Sequence, residues 1–135
     1  MKERDIQTVF RDINKMVGIF ELKLCKDNAI PFSAVKDHQR QALSQINADT
    51  GLFFKIPDSP IFTGSKTRFA VLKPFDCFHL ANIPAYVVIC WYQPRKYKRF
   101  YYIPIGTFLY EEQMSERKSL TQDRAREIAE EVMEG

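Results

Sequence analysis

From Gly18 to Cys25 the chain reads Gly18-Ile19-Phe20-Glu21-Leu22-Lys23-Leu24-Cys25, an apolar run of strand type interrupted by one acid and one base. Successive strand side chains project to opposite faces, so Phe20, Leu22 and Leu24 share one face while Glu21 and Lys23 share the other. Charge is costly to bury unless it is paired or coordinates a metal. The pair is therefore either half of a hydrolytic metal site or an ordinary salt bridge. Ahead of it, Ile6, Val9, Phe10, Ile13 and Val17 recur at helical spacing and predict an amphipathic helix ending near Gly18. Glu3 falls on the same stripe. It is either a first-turn carboxylate favoured by the helix dipole or an acid carried along the buried face.

Beyond the turn Lys26-Asp27-Asn28, the segment Ile30-Pro31-Phe32 leads to a candidate helix cap at Ser33. Val35, His38, Gln39, Ala42, Leu43 and Ile46 then follow at helical spacing, with the Gln39 amide on the apolar stripe where it must find a partner. That partner is either a core group or the Glu21 and Lys23 pair. Leu52 to Ile56 reads as a strand stopped by Pro57-Asp58-Ser59-Pro60, and the region from Thr63 to Arg68 as a mobile basic loop. The runs 75–80 and 85–92, joined by Ala81-Asn82-Ile83-Pro84, predict a hairpin. Gln93-Pro94-Arg95-Lys96-Tyr97-Lys98-Arg99 feeds a further strand over 100–105, and a helix with an acidic face is expected over about 120–134.

Strands alternating with helices, without repeat or linker, indicate one α/β domain over residues 1–135. With 45% hydrophobic and 27% charged residues and few glycines, the chain is of globular and not disordered composition. No run approaches the roughly 18 apolar residues of a membrane span, and Met1 to Asp5 does not read as a signal peptide. The expectation is a soluble cytoplasmic protein without membrane partners, of cellular, phage or mobile-element origin. Cys25, Cys77 and Cys90 form no CxxC pair, which argues against structural zinc. The net charge of +3 does not itself imply a nucleic-acid partner, but its distribution is informative. Arg95, Lys96, Lys98 and Arg99 interleave with Tyr97 at a turn, a pattern that suits phosphate contact with ring stacking and equally a solvated turn guarding a sheet edge.

Glu-x-Lys alone is weak, since a chain of this length contains it by chance about half the time at abundances of roughly 6% for each residue. Its setting sharpens it: Phe20-Glu21-Leu22-Lys23, then Pro31-Phe32, then Val35-Lys36-Asp37-His38-Gln39, with Lys73-Pro74-Phe75-Asp76 opening another strand. These stretches resemble the PD-(D/E)XK nuclease superfamily, and within it the small Holliday-junction resolvase-like proteins of RecU and Hjc type. The resemblance covers roughly residues 3 to 105. It implies a restriction-endonuclease-like core, a central mixed β-sheet flanked by helices. Family members place the aspartate strand before the acid-x-Lys strand, whereas here one helix precedes Glu21, and Cys90-Trp91-Tyr92 stands where the family's hairpin would carry its acid and lysine. A permuted strand order is therefore expected, with strand pairing bringing Asp76 to Glu21 and Lys23.

On this resemblance Asp76, Glu21 and the Leu22 carbonyl hold Mg²⁺, for which Mn²⁺ can substitute, with Glu3 or Asp58 as further candidate acids. Lys23 orients the attacking water and Gln39 positions the site. Arg95, Lys96, Lys98, Arg99, Lys66, Arg68 and His38 are the candidate DNA contacts. The implied protein is a DNA endonuclease of junction-resolving type, working as a homodimer on branched or four-way DNA. Two alternatives are a catalytically inactive nucleic-acid-binding module of the same fold and an accessory protein whose basic turn meets an acidic partner. His38 and His79 lie far apart without a ligand cluster, which disfavours a histidine-metal nuclease.

Overall fold

The computed structural model of the chain describes residues 2–57 and 73–135. Its centre is β5 (Ala85–Gln93), whose first seven residues, Ala85 to Trp91, are all buried. A strand buried on both faces must be covered on both, and its neighbours supply the frame. β1 (Ile19–Cys25) pairs parallel to it, with Glu21 opposite Val87 and Lys23 opposite Ile89. β6 (Tyr97–Pro104) pairs antiparallel on the other side, and β8 (Glu131–Glu134) pairs antiparallel with β6. The sheet order is β1-β5-β6-β8, so the sheet is mixed and β1 is an edge strand among the described residues.

α1 (Glu3–Ile13) covers one face. Ile6 and Phe10 pack there with Phe20, Leu22, Tyr86, Val88, Phe100 and Tyr102. The rings interlock: Phe20 stacks on Tyr86 at 5.7 Å and meets Phe10 edge-on at 5.1 Å. α2 (Asp37–Asn47), α3 (Ile105–Met114) and α4 (Gln122–Ile128) cover the other face through Leu43, Phe108 and Ala125, which join Val87, Ile89, Trp91, Tyr101 and Ile103. The chain is thus α/β, with a central mixed sheet flanked by helices as expected.

Arg40 ties the second layer together. Its guanidinium donates to the Val35 carbonyl at 2.9 Å and the Phe32 carbonyl at 2.6 Å, and forms a forked ion pair with Glu112 of α3. That fork holds α2, the 3₁₀ turn Phe32–Ala34 and α3 in one arrangement. β2 (Ala29–Pro31) pairs antiparallel with β7 (Ser119–Thr121) beside it.

Several expectations are corrected. The first helix stops at Ile13, where the Asn14 side chain bonds to the backbone of Met16 and accepts from Tyr102 Oη, leaving Val17 89% exposed. Gly18 instead serves a close approach, since a Cβ there would lie 2.6 Å from the Pro84 carbonyl oxygen. The Ser33 cap is replaced by Lys36, ahead of a helix that starts at Asp37.

The hairpin over 75–92 does not form. β4 (Cys77–Leu80) pairs antiparallel with β3 (Leu52–Lys55) in a separate two-stranded sheet. The linking turn is bound instead to the end of α2, with Asn82 N–H donating to the Ala48 carbonyl and Ile83 N–H to that of Ile46. The C-terminal helix expected over 120–134 is α4 alone, because β6 offers an open edge and Glu131 to Glu134 pair with it. α3 was not anticipated, and its apolar residues do not lie on one well-defined stripe. Among the described residues no helix is long and apolar enough to cross a membrane.

Burial pushes Tyr86 up to about 12, aided by a 2.5 Å bond to Glu130, and pushes Tyr102 and Cys90 up to about 12 as well. Arg40 holds the Glu112 carboxyl below its ordinary value of 4.5. Raised pKa values in the fold mean stability is full below the unfolded values and is lost as pH climbs through the folded ones; a lowered carboxyl means the reverse. Chemical denaturation should therefore show falling stability from about pH 9 toward 12 and again below about 4.5. Tyr86→Phe and Tyr102→Phe together should flatten the alkaline limb, and Glu112→Gln the acid limb.

Candidate functional site

β1 delivers Glu21 and Lys23 to the face covered by α2, as the period of two requires. Lys23 is only 8% exposed, and its Nζ lies 3.4 Å from Glu21 Oε1. The same oxygen accepts a 2.8 Å hydrogen bond from Gln39 Nε2. Gln39 sits at the third position of α2, where its Oε1 accepts from the Lys36 backbone N–H at 2.8 Å. The amide orientation follows from chemistry, because the backbone donor must face the oxygen and the carboxylate must face the NH₂ group. One side chain thus caps the helix and fixes the strand carboxylate.

The hydrogen bond from Gln39 and the nearest approach of Lys23 both fall on Oε1, and Glu21 Oε2 accepts no hydrogen bond among the described residues. Glu21 also lines a cavity of about 320 Å³ together with Leu22, Phe20, Phe10, Glu3 and Gln7. The cavity lies between the first turns of α1 and the edge strand β1. Glu3, in the first turn of α1, makes no ion pair or hydrogen bond among the described residues. Glu3 is exposed in the first turn of α1, where a carboxylate is favoured by the helix dipole, and it borders the same cavity as Glu21.

Asp76 is placed elsewhere. Its carboxylate is 85% exposed, lies 3.0 Å from Lys73 Nζ, and precedes β4, which pairs with β3. Its carbonyl accepts from Ile56 N–H at 2.8 Å, so it closes the end of that two-stranded sheet. The expected strand pairing that would bring Asp76 to Glu21 and Lys23 is therefore not present; β1 pairs with β5 instead. Cys90 and Trp91 are buried core residues, and Trp91 Nε1 donates to the Asp27 carbonyl at 3.1 Å.

Asp58, Lys66 and Arg68 lie outside the described residues. Arg95 and Lys96 are exposed in the β5–β6 turn, where Arg95 adopts a φ of 64° and Lys96 N–H closes onto the Gln93 carbonyl. Lys98 and Arg99 are half-buried; the Arg99 guanidinium lies 4.0 Å over the Tyr97 ring and 3.8 Å from Glu134. His38 is exposed in the first turn of α2. Sequence reasoning missed Arg40, for which no pattern in the sequence gave a signal.

Among the described residues no three His, Cys, Asp or Glu side chains gather as a ready-made metal cluster. Two acidic residues, Glu3 and Glu21, border the cavity, and carboxylates are the ligand type that a hard divalent cation takes. No protein-family model, curated protein or solved structure matches the chain.

The Glu21–Lys23 pair makes a distinctive stability prediction. Glu21→Leu strands a buried ammonium and should cost about 2 kcal/mol, and Lys23→Met about 1 kcal/mol, because Gln39 still supports the carboxylate. The double variant should return to within about 1 kcal/mol of wild type in urea denaturation, since a hydrophobic replacement for a whole ion pair is often neutral. Additive losses in the double variant would show that the two charges do not act as a unit.

Proposed function

We propose that the chain is a divalent-metal-dependent DNA endonuclease with a restriction-endonuclease-like core, its site built around Glu21 and Lys23. The observation that carries this reading is the Glu21, Lys23 and Gln39 cluster on the edge strand: Lys23 and Gln39 hold Glu21 through Oε1, Oε2 accepts no hydrogen bond among the described residues, and Glu21 and Glu3 border one cavity. A purely structural salt bridge has no need of a second unpaired acid beside it.

Glu21, Glu3 and the Leu22 carbonyl would hold Mg²⁺ or Mn²⁺, with Glu3 taking the place expected of Asp76. When bound, the cation supplies Lewis-acid polarisation of the scissile phosphate and a water of lowered pKa. Lys23 orients the attacking water and offsets charge that builds on the phosphate. Gln39 holds Glu21 in position from the α2 terminus. Arg95 and Lys96 at the exposed turn, with His38, engage the DNA backbone as sequence-independent contacts. The substrate class is branched DNA, in line with the resolvase resemblance, and two copies of the chain would cut the two strands symmetrically in the cytoplasm.

A second reading, a nucleic-acid-binding module without catalysis, is favoured by one observation: Asp76, the acid of the family-like Pro-Phe-Asp stretch, belongs to the β3–β4 sheet and not to the Glu21 site.

The deciding assay is cleavage of a labelled four-way junction beside linear duplex, in Mg²⁺ and in EDTA. Wild type should give paired nicks at the junction only with metal. Glu21→Ala and Glu3→Ala should each lower the rate on the order of 100-fold or more, while Asp76→Ala should cleave near the wild-type rate. A folded wild type that binds the junction equally in EDTA and cuts nothing would establish the binding module instead.

A further inference from the structure

β3 and β4 form a two-stranded ribbon outside the main sheet, and their register sorts its side chains onto two faces. Residues directly opposite each other on an antiparallel pair share a face, with Cβ atoms about 4.5–5.5 Å apart. On one face Leu52 meets Leu80 and Phe54 meets Phe78, where the two phenyl rings stack at 5.3 Å and all but Phe54 are half-buried. On the other, Phe53 stands opposite His79 and Lys55 opposite Cys77, and all four are exposed. Phe53 is 64% exposed, so the core gains little from its ring. The His79 imidazole, although exposed, is held in place. Its Nε2 lies 3.2 Å from the Thr50 carbonyl oxygen, which can only accept, so Nε2 carries the proton. Gly51, which follows Thr50, has a φ of 72°, and a Cβ on it would lie 2.6 Å from that nitrogen. The glycine therefore leaves the room that the ring occupies.

The exposed face thus carries an oriented imidazole beside a phenyl ring, with a base two residues further along the strand. Lys55 makes no ion pair or hydrogen bond among the described residues, and none of the four residues is acidic. The Asp76 carboxylate ahead of β4 is paired with Lys73 at 3.0 Å. A surface for docking protein would be more continuously apolar at its centre and poor in lysine. Rings with an unpaired cation beside them suit instead the flat bases and charged phosphates of unpaired nucleic acid. We propose that this face of the β3–β4 ribbon binds single-stranded nucleic acid, with Phe53 and His79 stacking on a base and Lys55 meeting the adjoining phosphate. The surface stands apart from the Glu21 site and needs no metal. It shares with the reading given above only the nucleic-acid partner, and on branched DNA it would take bases left unpaired.

Fluorescence anisotropy in EDTA, with a labelled oligothymidylate and with an abasic sugar-phosphate chain of the same length, separates stacking from charge. Wild type should bind the oligothymidylate about tenfold more tightly than the abasic chain. Phe53→Leu keeps apolar bulk without the ring; it should leave the melting temperature unchanged and abolish that preference. Lys55→Gln should weaken both chains severalfold and reduce the slope of log affinity against log salt by about 0.7, the value of one phosphate contact on a single strand. Equal binding of the two chains by wild type, or an unchanged preference in Phe53→Leu, would overturn the proposal. So would sedimentation in which wild type self-associates through a contact that Phe53→Leu removes while oligothymidylate binding persists, since the occupant would then be a second copy of the chain. Failure of the nuclease reading looks different: Glu21→Ala should bind oligothymidylate as wild type does, and a wild type that prefers the base-bearing chain in EDTA but cuts no junction would lose the nuclease and keep the ribbon surface.

Discussion

β5 is buried along seven successive residues, Ala85 to Trp91, and every other layer is arranged to cover it. The parallel partner β1 and the antiparallel partner β6 satisfy its backbone, while α1 on one face and α2, α3 and α4 on the other exclude water from its side chains. A strand so enclosed cannot itself present chemistry. The consequence falls on β1, which shares the register of β5 on one side and is an edge on the other among the described residues. It is buried enough to hold charges in fixed positions and open enough for a ligand to reach them.

The aromatic face explains how α1 comes to contribute. Phe10 packs on Phe20, Phe100 and Tyr102, and Tyr102 in turn bonds to Asn14 where the helix ends. Those contacts pin α1 along the inner side of β1, which sets Glu3 and Gln7 against the strand that carries Glu21. On the opposite face, the Arg40 fork to Glu112 and to the Phe32 and Val35 carbonyls holds α2 where Gln39 can meet Glu21. The site is therefore the point at which two independently packed helices converge on one edge strand.

Electrostatically the arrangement is asymmetric. Lys23 and Gln39 satisfy one oxygen of Glu21 from the buried side, which removes much of the cost of holding a carboxylate in a half-buried strand. The other oxygen retains its capacity as an acceptor. Glu3 adds a second acid with no cation of the described chain against it. An acid left without a cation is tolerable where solvent or a metal ion can balance it, which is the physical link between the fold and the proposed hydrolysis of a phosphodiester.

The sequence by itself determined the local half of this architecture. Alternation placed Glu21 and Lys23 on one face, helical spacing put Gln39 on a stripe where it needed a polar partner, and the same spacing put Ile6 and Phe10 on the buried face of α1. These are consequences of periods of 2 and 3.6, which operate over a few residues. Pairing at longer range was decided by the tertiary structure. Residues 81–84 are compatible with a hairpin turn, yet their N–H groups bond to the end of α2 and divert β4 to β3, which separates Asp76 from the site. Likewise Ala125 to Met133 carry a helical pattern, but the free edge of β6 draws residues 131–134 into the sheet, because unpaired ladder groups gain more from a partner strand than a short exposed helix gains from its own hydrogen bonds. The distance of Asp76 from the Glu21 strand depended on those pairings, and no local pattern contained that information.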